Sequence, residues 1–226
     1  MALNARRPGA SPSLLVGQMA LGLTLLATAV IGGYALIRRP WTNRIDAAGF
    51  AALPAQPNSS LYHRIAEVGS LPFLLGGIAL AIALSIWRDW PRAVACLIGP
   101  VAGVIITEQV AKPLVGRHLN ALGGDSYPSG TVTAAAALVT VIVLAVPVLL
   151  RPVAGLAGLG IVGAVGVAVV GMRWHYPTDA VGGACVGVGV VLTLDAIAHI
   201  PRCLGGRRTA RVRSSPPHHF YATSPR

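Results

Sequence analysis

Six apolar runs, at residues 14–37, 71–87, 93–111, 132–150, 153–172 and 180–200, alternate with short polar segments. A helix needs about 20 apolar residues to cross the hydrocarbon core of a bilayer, and each run is near that length. With 54% hydrophobic and only 11% charged residues, 226 residues cannot hide this surface in a water-soluble core. The expected fold class is therefore all-α, a polytopic integral membrane protein with six transmembrane helices.

The formal net charge of +11 raises the question of nucleic acid. The arginines, however, sit in short clusters beside apolar runs, with no aromatic interleaving, which is the pattern of topology signals. Nucleic acid is excluded as a partner, and no protein partner is expected. Cys96, Cys185 and Cys203 have no paired spacing, so neither a disulfide framework nor a metal site is indicated.

Three parts follow from this pattern. Residues 1–13 form a basic leader, 14–200 a six-span membrane domain and 201–226 a basic tail expected to be disordered and cytoplasmic. A cleaved signal peptide is the rival reading of the first run, but that run is longer than an h-region and ends in Arg38-Arg39-Pro40-Trp41. Residues 38–70 read as an interfacial loop holding one or two short helices, broken at Pro54 and Pro57. Five arginines between 202 and 213 mark the cytoplasmic side. Both termini are then cytoplasmic in a multi-pass cell-membrane protein. The segments 38–70, 112–128 and 173–179 emerge together on the outer face.

Two polar islands interrupt the oil. The first, 112–131, starts at the only lysine of the chain and ends in Tyr127-Pro128-Ser129-Gly130-Thr131; the second is Arg173-Trp174-His175-Tyr176-Pro177-Thr178-Asp179. Ser129 is placed to cap the helix that follows, whose free amides suit an anion. Asp179 lies four positions after His175, within reach of the imidazole, where a carboxylate can fix the tautomer and stabilise the cation. Lys112, Arg117 and Arg173 supply positive charge, so the islands together have what in-line attack on phosphorus by a histidine requires. The plainer reading is a structural Asp-His pair at a helix start. Glu108, four before Lys112, either positions that lysine as an ion pair or takes part in proton transfer. His63 reads as a solvated loop histidine.

Lys112 to Arg117, Tyr127 to Gly130 and Arg173 to Asp179, with Gly182-Gly183 following, resemble the three signature blocks of the type 2 phosphatidic acid phosphatases, membrane relatives of the vanadium haloperoxidases. The resemblance spans roughly residues 40–200 and implies an acid phosphatase/vanadium haloperoxidase-like helical core. It also implies His175 as the nucleophile, Asp179 as its orienting partner, Lys112, Arg117, Ser129 and Gly130 as phosphate ligands, and no metal or other cofactor. Arg173 joins the phosphate-binding set from the residues alone.

Three positions depart from the family. Leu119-Asn120 stands where Arg-Pro is usual, and Val169 where an arginine precedes the histidine by six. Thr131 stands where a histidine protonates the leaving oxygen. Losing a general acid costs about a hundredfold to ten-thousandfold in rate. A diphosphate leaves as a phosphate and needs less protonation, which favours an anhydride such as a prenyl diphosphate. His118 or His63 could instead supply the proton. The expected function is hydrolysis of a lipid phosphate or prenyl diphosphate through a phosphohistidine at the outer face; the alternative is a catalytically silent relative that binds or moves phospholipids.

Overall fold

The computed structural model describes residues 11–37, 39–119 and 124–213. The leader up to residue 10 and the tail beyond 213 lie outside these residues. Helix α1 is Pro12–Leu36, started by Ser11, whose hydroxyl accepts from the Leu14 amide, with Pro12 in the first turn. The polar segment folds as two short helices, α2 (Pro40–Ala52) and α3 (Ser60–Gly69), with Pro54 and Pro57 between them. Then come α4 (Leu71–Ser85), α5 (Trp90–Val115), a two-residue hairpin of β1 (His118–Leu119) and β2 (Gly124–Asp125), α6 (Gly130–Ala145), α7 (Val148–Gly171) and α8 (Pro177–Arg213). Among the described residues the regular structure is helical apart from that hairpin. Helix α8 continues through residues 201–213, the first half of the stretch expected to be disordered.

Six helices stand where the six apolar runs are, but not all of them are long enough to cross a membrane alone. Among the described residues, α1, α5, α7 and the Pro177–Pro201 part of α8 are long and apolar enough to cross a membrane alone. Helices α3 and α4 make a fifth span only as a pair bent by 44°. Helix α6 has 16 residues, about 24 Å at 1.5 Å per residue. The run at 132–150 is longer than its helix because Pro147 cannot continue it, and Val148–Leu150 join α7 instead.

A short helix is tolerable here because α6 is at the centre of the bundle, flanked by α4, α5, α7 and α8, with Val132 to Ala137 all buried. Helix α8 is the other central element, packed on α1, α5 and α6. Its glycines make the close approach possible: a methyl at Gly187 would strike the Thr133 carbonyl, and one at Gly183 the Ser129 carbonyl. The outer helices face outward with apolar side chains. Only 17% of the apolar window of α1 and 28% of that of α7 are buried within the protein, as expected for surfaces solvated by lipid.

The polar segments converge at one end of the bundle. The Gln56 amide donates to the Gly171 carbonyl, the Ser126 amide to Arg117 and the Ser129 amide to Asp179. The opposite end carries a polar cluster that hydropathy did not reveal: Asp195, fully buried, accepts from Arg92 at 3.0 Å and Gln18 at 2.9 Å, while His199 bridges to Asp89 at 3.0 Å. It ties α1, α5 and α8 together.

Candidate active site

His175 lines a cavity of about 260 Å³ together with Lys112, Glu108, Gly130 and Thr131, and Leu71, Leu74, Val104 and Ala134 form its apolar side. Three elements place these groups. Helix α5 carries a π-helical turn, Thr107–Ala111, at its cavity end, and the extra residue re-aims Glu108 and Lys112 together. Ser129 starts α6, its hydroxyl accepting from the Val132 amide at 3.4 Å, which sets Gly130 and Thr131 in the first turn at the cavity wall. The turn from α7 into α8 delivers His175, with Arg173 at φ 62°, in the left-handed region that non-glycine residues seldom occupy.

The imidazole is fixed from one side. Its Nδ1 lies 2.9 Å from the Ser126 carbonyl oxygen. A carbonyl only accepts, so Nδ1 carries the proton and Nε2 holds the lone pair. Asp179 Oδ2 is 3.8 Å from Nδ1, beyond hydrogen-bond distance, and accepts instead from the Tyr176 amide at 2.9 Å. The hydrogen bond expected from Asp179 is thus made by the Ser126 carbonyl, and the buried Asp179 carboxylate lies close by. Ser126 is held in turn by Tyr127, wedged against Gly33 of α1 and Gly182 of α8 with its hydroxyl donating to the Ala29 carbonyl at 2.7 Å. Burial pushes the Tyr127 phenol well above its ordinary range, so it stays a neutral donor.

The expected phosphate ligands divide into two groups. Lys112 and Gly130 line the cavity. Lys112 Nζ is 2.8 Å from both Glu108 oxygens, the ion pair foreseen from the four-residue spacing. Ser129 is fully buried and acts as a helix cap, not as a wall of the cavity.

Arg117 and Arg173 do not line the cavity. Arg117 donates to Asp179 and Thr178 at 2.8 Å and to Asp46, and stacks on Tyr176 at 3.8 Å. It lines a neighbouring cavity of about 600 Å³ with Asp46, Asn43 and His118. Arg173 donates to the Phe50 and Leu53 carbonyls at 3.0 and 2.9 Å and lies over the Phe50 ring. Two carboxylates in one case, and the carbonyls at the end of α2 in the other, compete with the cavity for these guanidiniums.

The structure also disposes of the two alternative acids differently from the cavity. His118 is exposed and pairs with Asp125 at 3.3 Å, and His63 sits edge-on to Trp174, exposed, with Nδ1 on the Ser59 carbonyl. Neither lines the His175 cavity. What the sequence reading missed is Asp46, only 2% exposed, whose oxygens take the Thr178 amide at 3.0 Å, the Thr178 hydroxyl at 2.9 Å and Arg117. An acid in a basic interfacial segment was its only signal.

The sequence model of the PAP2 superfamily matches residues 106–199, which include every residue of the cavity lining except Gly69, Leu71, Leu74 and Val104. The match takes in 94 of the 226 residues. A solved structure described as the first transmembrane PAP2-type phosphatidylglycerolphosphate phosphatase from Bacillus subtilis superposes with a TM-score of 0.59. The alignment has 21% identity and covers 81% of this chain and 94% of that one, so what is shared is the fold. No curated protein matches the chain in sequence. The PAP2 match takes in Lys112, Thr131, His175 and Asp179, whereas Asp46 lies outside it.

Proposed function

We propose that this protein is a PAP2-superfamily membrane lipid phosphatase that cleaves a lipid phosphate or prenyl diphosphate through a phosphohistidine on His175, at the outer membrane face. The observation that carries this reading is the state of His175: Nδ1 is committed to the Ser126 carbonyl, and the ring borders a cavity shared with Lys112 and the first turn of α6. A phosphoryl group there meets an ammonium and helix-start amides, while the lipid chain follows Leu71, Leu74 and Val104. Nε2 attacks phosphorus, and the nearby Asp179 carboxylate stabilises the imidazolium that results. Thr131 offers the leaving oxygen a hydroxyl but no acidic proton, which suits a leaving group that departs as a phosphate. The arginine bias of the termini places the cavity end outside.

A second reading, a silent relative that binds phospholipids, is favoured by one observation: Arg117 is spent on Asp46, Thr178 and Asp179, and Arg173 Nη2 on the Phe50 and Leu53 carbonyls. Phosphate release from a panel of lipid phosphates and diphosphates decides between them. The phosphatase reading expects the wild type to prefer diphosphates and His175→Ala to be inactive. A silent wild type that Thr131→His revives would establish the binder. Equal turnover of phosphatidic acid and a prenyl diphosphate would remove the basis for the anhydride preference.

A further inference from the structure

A phosphohistidine must be hydrolysed, and the water that does so must lose a proton. Thr131 cannot accept it, and His118 and His63 lie off the cavity. Glu108 lies on it. Three observations fix this carboxylate in the cavity that His175 lines. The π-helical turn Thr107–Ala111 carries it at the cavity end of α5. Oε1 comes so close to Gly130 that a methyl there would sit 2.5 Å away, so the carboxylate reaches the N-terminal turn of α6 through the gap that a missing side chain leaves. Both oxygens are held at 2.8 Å by Lys112, which also lines the cavity. At 260 Å³ the cavity holds a phosphoryl group and attacking water, since a water's share of liquid volume is about 30 Å³.

We propose that Glu108 is the general base of the dephosphorylation step, a role that rests on the phosphohistidine reading of His175. A phosphoryl group on His175 draws the Lys112 ammonium to its own oxygens and frees the carboxylate to bind water. The water oxygen forms a bond to phosphorus and the phosphorus–Nε2 bond breaks, its electron pair returning to the imidazole. The water's proton passes to Glu108, which loses it to solvent as inorganic phosphate departs. The first half-reaction, with a phosphate leaving group, proceeds without Glu108.

The test uses the purified full-length chain in detergent micelles and a prenyl diphosphate radiolabelled in its terminal phosphate. For Glu108→Gln the expected result is one rapid round of prenyl monophosphate release, then acid-labile, alkali-stable label on the protein, with steady turnover lowered about a hundredfold or more. Glu108→Asp keeps the charge beside Lys112 but withdraws the carboxylate, so it also accumulates label, and it guards against a Glu108→Gln protein that fails to fold. Added formate restores turnover to Glu108→Ala. The proposal is overturned if the folded Glu108 variants turn over at the wild-type rate, or if they lose labelling and turnover together, which would reduce Glu108 to a support for Lys112. His175→Ala separates this from a failure of the site itself: label or turnover persisting in that variant removes the phosphohistidine, and Glu108's role with it.

Discussion

At the scale of single residues, His175 is oriented by a backbone carbonyl, a partner that no side-chain substitution removes directly. The Asp179 carboxylate therefore acts chiefly through charge at 3.8 Å, and Arg117 draws on the same carboxylate at 2.8 Å. Asp46 is what keeps that arrangement from cancelling: with two carboxylates around one guanidinium, the group as a whole stays negative beside the imidazole. Asp46→Asn retains an acceptor for the Thr178 amide but leaves Arg117 one counter-charge short. Breaking such a buried pair costs about 3 kcal/mol, so we expect a lower thermal midpoint in detergent together with reduced phosphate release. His175→Ala is expected to keep the wild-type midpoint and lose phosphate release by on the order of a thousandfold or more, as removal of a nucleophile does. A His175→Ala protein with full phosphate release would disprove the mechanism. The nearness of His175 to Asp179 and of Glu108 to Lys112 was legible in the sequence because each pair is four residues apart. The destinations of Arg117 and Arg173 were not, because Asp46 and the Phe50 and Leu53 carbonyls lie far off along the chain and become neighbours only on folding.

At the scale of elements, the contact between α6 and α8 positions both halves of the site, since one helix begins at Ser129 and the other carries Asp179. Glycine at 183 and 187 lets the two backbones meet, and nothing but glycine fits against the Ser129 and Thr133 carbonyls. Gly187→Val is expected to destabilise the protein by about 1–3 kcal/mol or more, read as a lowered unfolding midpoint, and to reduce activity by displacing the site. Gly155→Ala and Gly160→Ala, on α7 where a methyl meets nothing within 4 Å, are the controls, expected to be neutral or slightly stabilising. The glycines of the sixth apolar run are plain in the sequence, but not which of them face α6. The end of α6 was misplaced by hydropathy alone, because Val148–Leu150 are as apolar as the helix they do not continue and only Pro147 marks the break.

At the scale of the whole molecule, the two polar ends of the bundle are unlike. One gathers α2, α3, the hairpin and the starts of α6 and α8 around the cavity; the other is closed by Gln18, Asp89, Arg92, Asp195 and His199. The arginine distribution predicts that the first end faces out. Asn58→Cys should then react with a membrane-impermeant thiol reagent in intact cells, and Leu149→Cys only after the membrane is opened; the reverse pattern would invert the topology. The sequence by itself determined the membrane class, the helical architecture, the approximate helix positions and the two islands, because lipid imposes its demands locally, on each run of some 20 residues. Only the tertiary structure decided how many helices are long enough to span, and which cations border the cavity. It also set Nδ1 of His175 on the Ser126 carbonyl and brought Glu108 into the lining of the same cavity. These depend on competition among partners distant in the chain, and such competition is settled by packing.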